Sequence, residues 1–236
     1  MDKRILISSC VRQKEEIFLE FLNSINHLIV PEGYTINKFF YLYNCSELTN
    51  YLKENEFLNI DIKEENKEII INNYATIRTA ILKKARDEKY DYLFIIDDSI
   101  LLHPKTLSLL IKDNGDIVGN ALWIKNRDRH FEINGNKDEE KGSYSNIEIF
   151  KNPGIYQVGW VQHCFLISNR IFNNSNISFY TIPDVDYFQN QEYAFCLKAK
   201  CNYPDLKILL DTRLPARSLC MENEYLRWMQ EKKMYE

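Results

Sequence analysis

Two adjacent carboxylates, Asp97 and Asp98, directly follow the apolar run Tyr92–Ile96. Such a run is typical of a strand that is buried on both faces of a parallel sheet. Two carboxylates at the end of a buried strand are costly unless a cation meets them, and an arginine or a divalent metal bound to a diphosphate would do so. In the structural alternative, one Asp caps the following loop and the other is solvated. The residues alone favour neither interpretation, because paired charges only suggest a site.

Other polar residues lie at predicted strand ends, which is where ligands bind in an open α/β sheet. Ser9, Cys10 and Arg12 follow the first predicted strand, and residues 211–218 follow the last. Glu192 stands at the start of a predicted helix. Together with the aspartate pair, these positions predict one polar pocket at the carboxyl edge of the sheet.

Three more side chains have a functional and a plain structural interpretation. Arg78 lies on the predicted helix before the aspartate strand, where a guanidinium could hold a phosphate in a bidentate fork. In isolation, a surface arginine explains it equally well. Trp160 and His163 flank an apolar segment. Core packing is the first interpretation of both, although Trp160 could instead stack on a sugar face.

Composition and missing motifs exclude several classes of protein. The 236 residues carry a net charge of −4 and no basic stripe, which argues against a nucleic-acid partner. GxSxG, HExxH, P-loop and GxGxxG motifs do not occur, so hydrolase, zinc-protease and kinase functions have no motif to support them. The six cysteines are scattered and form no CxxC pair, and the sequence has no signal peptide, which predicts a cytoplasmic chain. No apolar run reaches ~18 residues, so no membrane span is predicted.

Apolar periodicity predicts the elements that must position these residues. Strands alternate with helices in the first half, which indicates an α/β sheet. The predicted strands are 4–8, 36–43, 92–96, 116–122, 156–168 and 207–211, with a strand end at 68–71. Helices are predicted from residue 13, around 48–52, over 73–88, after Pro104, over 191–200 and over 222–236, and residues 125–153 form an irregular loop.

Four segments, in this order, resemble the A-type (GT-A) glycosyltransferases of the family-two-like group. YDYLFIIDDSILLHPKTLSLLI resembles the group's DxD region, and NNYATIRTAILKKA resembles the helix whose arginine faces the donor. PGIYQVGWVQHCFLIS resembles the strand on the acceptor side, and NQEYAFCLKAKCNYPDLKILLDTRLPARSL resembles the block that carries the catalytic acid. The resemblance spans nearly the whole chain.

The resemblance implies a Rossmann-like GT-A fold: a central, mostly parallel sheet flanked by helices, with a small mixed C-terminal part. Residues 1–236 would form a single domain. Within it, residues 1–120 would bind a nucleotide sugar, residues 121–220 would form the acceptor and catalytic half, and residues 221–236 would be a surface tail helix.

The group's chemistry is inverting transfer of a sugar from a nucleotide-diphosphate sugar. Carried over by position, Asp97 matches the first acid of DxD, and Glu192 takes the place of the general base. Ser99 falls where a metal-binding acid is expected, and Ser218 falls on the histidine that completes the metal site. Serine is a poor ligand for manganese or magnesium, so metal dependence is doubtful unless Asp98 becomes the ligand by a local shift.

These departures leave two hypotheses open. In one, arginines neutralise the leaving diphosphate, and Arg78, Arg213 and Arg217 are the candidates. In the other, the chain is a weakened or inactive relative that survives as a nucleotide-binding or partner protein. The predicted nucleotide-sugar residues are Ser9, Cys10, Arg12, Arg78, Asp97, Asp98 and Ser99, and the predicted acceptor-side residues are Trp160 and His163. The acceptor stays open among a glycan, a lipid-linked sugar and a peptide.

Overall fold

The computed structural model describes residues 2–12, 14–43, 48, 60–65, 71–123, 152–180 and 191–219. Strands and helices alternate through most of this part of the chain, as the apolar periodicity predicts. The strands are β1 (Lys3–Val11), β2 (Tyr34–Tyr43), β3 (Ile60–Glu65), β4 (Tyr92–Ile96), β5 (Ile100–Leu101), β6 (Ile117–Trp123), β7 (Ile155–Gln157), β8 (Cys164–Ser168) and β9 (Ile208–Ser218). The helices are α1 (Glu15–Asn26), α2 (Ile71–Asp87), α3 (Thr106–Lys112), α4 (Asn169–Phe172) and α5 (Gln191–Asn202).

The described strands form one sheet in the order β3-β2-β1-β4-β8-β6-β9-β5, with β7 also paired to β9. β3, β2, β1 and β4 are mutually parallel, and β6 is parallel to β9. β8 runs antiparallel between β4 and β6, and β5 and β7 run antiparallel to β9. The predicted α/β class, with a central and mostly parallel sheet and a mixed C-terminal part, is confirmed.

Side-chain alternation along the strands explains why the sheet is buried on both faces. In β4, Leu93 and Ile95 belong to the core layer that contains α2 and α5, whereas Phe94 and Ile96 belong to the layer that contains α1 and α3. Successive side chains of a strand point to opposite faces, so a continuous apolar run fills two cores at once. The sheet is therefore a rigid base for residues at its carboxyl edge.

Several predicted element boundaries were wrong. β1 continues to Val11, because Ser8 and Ser9 are buried and the strand pairs with β2 as far as Val11 and Leu42. β9 does not stop at Asp211, because β5 and the end of β6 pair with its second half. The segment predicted as a strand over 156–168 contains β7 and β8 as separate strands.

Residue 71, predicted to end a strand, begins α2. The predicted turn at 44–46, most of the predicted helix around 48–52, nearly all of the loop 125–153 and the tail helix 222–236 lie outside the described residues. The division of the chain into two halves and a tail stays a prediction. Among the residues with described positions, none of the helices has both the length and the apolar character that crossing a bilayer requires.

Close packing of β6 against the segment before β8 gives a first prediction. A Cβ atom at Gly119 would lie 2.7 Å from Cγ1 and 2.8 Å from Cβ of Val161. Gly119→Ala is therefore expected to lower the free energy of unfolding by about 1–3 kcal/mol, as overpacked cores usually do. Urea denaturation measures the change. Gly154→Ala is the matched control, because its Cβ would meet its nearest neighbour at an ordinary 3.7 Å. Equal effects of the two substitutions would contradict the prediction.

Candidate active site

The parallel pairing of β1 and β4 brings two predicted segments to one edge of the sheet. Ser8 is in register with Ile95, so the residues that end β1 lie beside those that follow β4. The backbone N–H of Arg12 donates a hydrogen bond of 2.6 Å to Oδ2 of Asp98. Asp98 is only 4% exposed. This carboxylate therefore joins the ends of the two strands.

One buried guanidinium connects the aspartate pair to α5. Arg78, on α2, is 6% exposed, and its Nη2 donates a hydrogen bond of 2.8 Å to Oδ1 of Asp97. Its Nη1 donates to Oε1 of Glu192, which lies in the first turn of α5 and is 8% exposed. Asp97 and Glu192 are 95 positions apart in the sequence, and a single side chain holds them together in space. Three elements, α2, β4 and α5, meet at this point.

The other oxygen of Asp97 is engaged by His163. The imidazole Nδ1 lies 2.7 Å from Oδ2 of Asp97, and the backbone N–H of Asp97 donates to the carbonyl oxygen of His163 at 2.8 Å. The antiparallel pairing of Ile96 with Cys164 places these two residues side by side. His163 adopts a φ of 63°, which is uncommon for a residue with a side chain. Both carboxylate oxygens of Asp97 are thus held by protein groups.

These ion pairs shift the pKa values of their members. Burial alone would raise the pKa of Asp97, but the charge of Arg78 and the hydrogen bond from His163 outweigh it and hold that pKa below its usual range. Burial alone would lower the pKa of His163, but the hydrogen bond to Asp97 and its charge outweigh burial and raise it. Burial also lowers the pKa of Arg78, and the charges of Glu192 and Asp97 outweigh this and raise it. The cluster therefore favours ionised Asp97 beside protonated His163.

The His163–Asp97 pair gives a prediction on pH. A raised pKa in the folded state means that the ion pair contributes its full stability below the ordinary histidine pKa of about 6.5, and that this contribution is lost as pH rises through the raised value. The stability that ionised Asp97 contributes is lost at the other end of the pH range, as pH falls through its lowered pKa. We therefore expect His163→Gln to destabilise the chain more at about pH 5.5 than at about pH 9.

Urea denaturation of wild type and variant at both pH values measures this difference. His103→Gln is the control, because His103 is exposed and lies away from the cluster, after β5. An equal loss at the two pH values for His163→Gln would mean that the histidine acts there as a neutral hydrogen-bond donor only.

Tyr74 belongs to this edge and was missed in the sequence. It lies one helical turn before Arg78 on α2, and this i, i+4 spacing is the signal that could have found it. The guanidinium carbon of Arg12 lies 4.8 Å from the centre of the Tyr74 ring, and that of Arg78 lies 5.9 Å from it. The tyrosine ring therefore lies next to both arginines.

Cys10 and Ser9 lie within β1 rather than after it. Burial, followed by the charge of Asp98, raises the pKa of Cys10 to about 12, so the thiol stays protonated and is not a nucleophile at neutral pH. Ser9 is 1% exposed, which makes it a part of the sheet interior in this structure.

The two serines at the predicted metal positions are close to each other. Ser218 pairs with Ile100 in the β5–β9 ladder, and the N–H of Leu219 donates to the carbonyl oxygen of Ser99 at 2.7 Å. Within the described ranges, no three His, Cys, Asp or Glu side chains are grouped as a metal ion would require. Hydroxyls at these two positions, and an Asp97 whose oxygens are already bound, do not fit a manganese or magnesium site.

The remaining predicted residues differ in their surroundings. Arg213 donates to Asp211 at 2.8 and 2.9 Å and to Asp113 at 2.5 Å, so two carboxylates inside the protein already balance its charge. Arg213 is therefore not retained as a diphosphate-neutralising residue. Arg217 is partly buried and pairs with Leu101 across the β5–β9 ladder. Trp160 is partly buried, and its ring meets that of Tyr193, on α5, edge to face at 6.1 Å.

Residues 36–211, three quarters of the chain, match the family model of the glycosyltransferase family 25 N-terminal domain. The chain belongs to this family. Procollagen galactosyltransferase 1-A of Xenopus laevis is 28% identical over 138 residues, which cover 57% of this chain and 22% of that protein. The chain of this family 25 protein thus spans less than a quarter of the length of the Xenopus laevis relative.

Solved structures agree with the family at the level of the fold. TarS 1–349 of S. aureus has a TM-score of 0.59 and 14% identity, covering 96% of this chain and 63% of that one. GalNAc-T7 has a TM-score of 0.62 and 11% identity, covering 92% of this chain and 43% of that one. TarS has been solved with UDP and with UDP-GlcNAc, and GalNAc-T7 with UDP, GalNAc and Mn²⁺. The predicted A-type glycosyltransferase fold is confirmed.

Proposed function

We propose that this glycosyltransferase moves a sugar, with inversion, from a nucleotide-diphosphate sugar to an acceptor hydroxyl at the carboxyl edge of β1 and β4. The observation that carries the proposal is the Arg78 bridge, which joins Asp97 to Glu192. These are the acids that the resemblance assigns to the donor and to the general base. A guanidinium between them fixes their separation, and transfer requires the reacting groups to be fixed in this way.

In this proposal the donor lies against the ends of β1 and β4. Of the residues predicted from the sequence, Cys10, Arg12, Asp97, Asp98 and Ser99 remain the proposed donor-facing residues, whereas Ser9 lies inside the sheet and Arg78 holds the two acids in place. UDP and UDP-GlcNAc bound to TarS, and UDP bound to GalNAc-T7, support a nucleotide donor of this kind. Trp160 and His163 would face the acceptor. Contact with Tyr193 places Trp160 near the start of α5 and so near Glu192.

The reaction needs one base and one leaving group. The acceptor hydroxyl oxygen attacks the anomeric carbon, and a new C–O bond forms as the bond from that carbon to the diphosphate breaks. The bonding electrons leave with the nucleoside diphosphate, and Glu192 accepts the hydroxyl proton. Because Glu192 is held by Arg78 in the first turn of α5, its carboxylate is already oriented before the substrates arrive.

A second candidate is a nucleotide-binding protein without turnover. The observation that favours it is the pair of serines, Ser99 and Ser218, at the two positions where the resemblance implies metal ligands. The fold and the pocket would then persist while the leaving diphosphate lacks the stabilisation that catalysis needs.

A panel of nucleotide sugars separates the two. The purified chain is titrated calorimetrically with UDP-, GDP- and ADP-sugars, and release of the nucleoside diphosphate is followed with glycan, lipid-linked sugar and peptide acceptors. Binding together with release of the nucleoside diphosphate supports the transferase. Binding without release supports the second candidate, and the absence of binding to every donor refutes both.

A further inference from the structure

We propose that the donor diphosphate is bound by the guanidinium of Arg12, held against the ring of Tyr74, and that donor binding requires no divalent metal. This inference rests on the proposed function, because it names the group that binds the donor of that reaction. It concerns the same edge of the sheet, assigns the diphosphate to one of the proposed donor residues, Arg12, and adds Tyr74 as a positioning residue.

The groups at this edge that could ligate a metal ion are carboxylates with protein partners and two serine hydroxyls. Of the oxygens at this edge, Oδ1 of Asp97 accepts from Arg78, Oδ2 of Asp97 is bound to His163, and Oδ2 of Asp98 accepts from the backbone of Arg12. A divalent ion that recruits Asp97 would compete for this carboxylate with the positive charges of Arg78 and His163, which already hold it. The positions of Ser99 and Ser218 offer hydroxyls, which are weak ligands for Mg²⁺ or Mn²⁺ compared with carboxylate or imidazole.

The side chain of Arg12 is free to reach a ligand, unlike those of Arg78 and Arg213. Arg78 and Arg213 each donate to two carboxylates, so their charges are already balanced inside the protein. Arg12 differs, because its side chain is exposed and its guanidinium contacts the ring of Tyr74 at 4.8 Å. Across the described parts of the chain, no carboxylate forms an ion pair with this guanidinium. A guanidinium stacked on a ring keeps its N–H edge open for a bidentate bond to phosphate.

Arg12 is positioned by the end of β4 and by the ring of Tyr74. Its backbone N–H is tied to the buried Asp98 at 2.6 Å, so its Cα position is coupled to the end of β4. Its side chain lies along Tyr74, which is itself set on α2 one turn from Arg78. Burial raises the pKa of Tyr74, so the ring stays neutral and does not form an ion pair with the guanidinium. Tyr74 is therefore a positioning residue that acts through Arg12.

The test is UDP binding to the metal-stripped chain in EDTA, measured by calorimetry with and without added Mn²⁺, with GDP, ADP and CDP as further probes. For the nucleotide that binds, we expect less than about a twofold change in affinity on adding Mn²⁺. Arg12→Ala should weaken binding about tenfold or more, as expected for a lost charge-assisted hydrogen bond. Arg12→Gln gives a second variant with the same expectation.

Substitutions at Tyr74 separate positioning from a plain structural role. Tyr74→Leu removes the stacking surface and should weaken nucleotide binding about threefold to tenfold, whereas Tyr74→Phe keeps the ring and should restore wild-type affinity. Arg4→Ala is the matched control, because Arg4 stacks on Tyr90 at 4.3 Å at the opposite end of β1. It should leave the affinity unchanged.

The outcomes distinguish this inference from the function on which it rests. A nucleotide that binds only with Mn²⁺, or that binds Arg12→Ala as tightly as wild type in EDTA, overturns the inference and leaves the transferase proposal standing. If Tyr74→Phe and Tyr74→Leu weaken nucleotide binding equally, the aromatic ring does not position Arg12. If no nucleotide binds with or without metal, the proposed function fails, and the inference fails with it.

Discussion

Replacing Arg78 by methionine is expected to lower the free energy of unfolding by about 3–5 kcal/mol, the usual cost of removing one partner from a buried ion pair. The side chains of Arg78 and Glu192 are 7% and 10% exposed, so the substitution leaves the Glu192 carboxylate in a poorly solvated place without its cation. Arg78 and His163 now hold the two oxygens of Asp97, and after the substitution His163 alone of these two would remain. Urea denaturation followed by circular dichroism measures the loss.

The control is Arg170→Met. Arg170 also bridges two carboxylates, those of Asp116 and Asp205, but its side chain is 39% exposed and water can replace the bridge. Its substitution should have a much smaller effect. Arg78→Lys should be intermediate, because one ammonium keeps the charge but cannot fork to two separate carboxylates. Equal losses for Arg78→Met and Arg170→Met would show that the buried bridge does not hold α2, β4 and α5 together.

Replacing Glu192 by glutamine is expected to lower the transfer rate about 10²- to 10⁴-fold, which is the usual contribution of a positioned general base. The amide cannot accept the acceptor proton, yet its oxygen can still accept the hydrogen bond from Arg78. We therefore expect the fold to be retained and nucleotide affinity to change less than about twofold, since the lost interaction is made in the transition state. Initial rates with the donor identified in the panel, together with calorimetry, measure both effects.

Glu16→Gln is the matched control for this substitution. Glu16 is exposed on α1, on the other face of the sheet from α5, and the same change of charge there should leave the rate unchanged. Wild-type transfer by Glu192→Gln would assign the base to another residue. A loss of nucleotide binding equal to the loss of rate would mean that Glu192 supports the donor pocket and does not act as the base.

Much of the fold could be predicted from the sequence because each apolar run carries its own signal. The run before Asp97 is a strand buried on both faces, and Ile77 and Ile81, on the helix before it, are buried in the core. Strand ends were harder. Ser8 and Ser9 indicate the end of a strand locally, but neighbouring parallel strands bury them and extend β1 to Val11. Local composition does not reveal which distant segments of the chain will pair as strands.

The composition of the site was predicted better than its contacts. The residues Asp97, Asp98 and Glu192 follow from strand ends and from the family resemblance, but their connection through Arg78 depends on how α2 and α5 pack in three dimensions. Arg213 shows the opposite case. It was predicted to neutralise the diphosphate because it stands near the position where the resemblance implies a metal-site histidine, whereas folding places Asp113, 100 residues away, beside its guanidinium.

The most direct test of the account is a crystal structure of the chain soaked with UDP, the nucleotide that the TarS and GalNAc-T7 structures contain. We predict that the diphosphate lies at the carboxyl ends of β1 and β4, within hydrogen-bond distance of Arg12, with Glu192 on the open side of the β-phosphate. UDP bound elsewhere on the chain, or an edge filled by the protein's own side chains, would contradict the account.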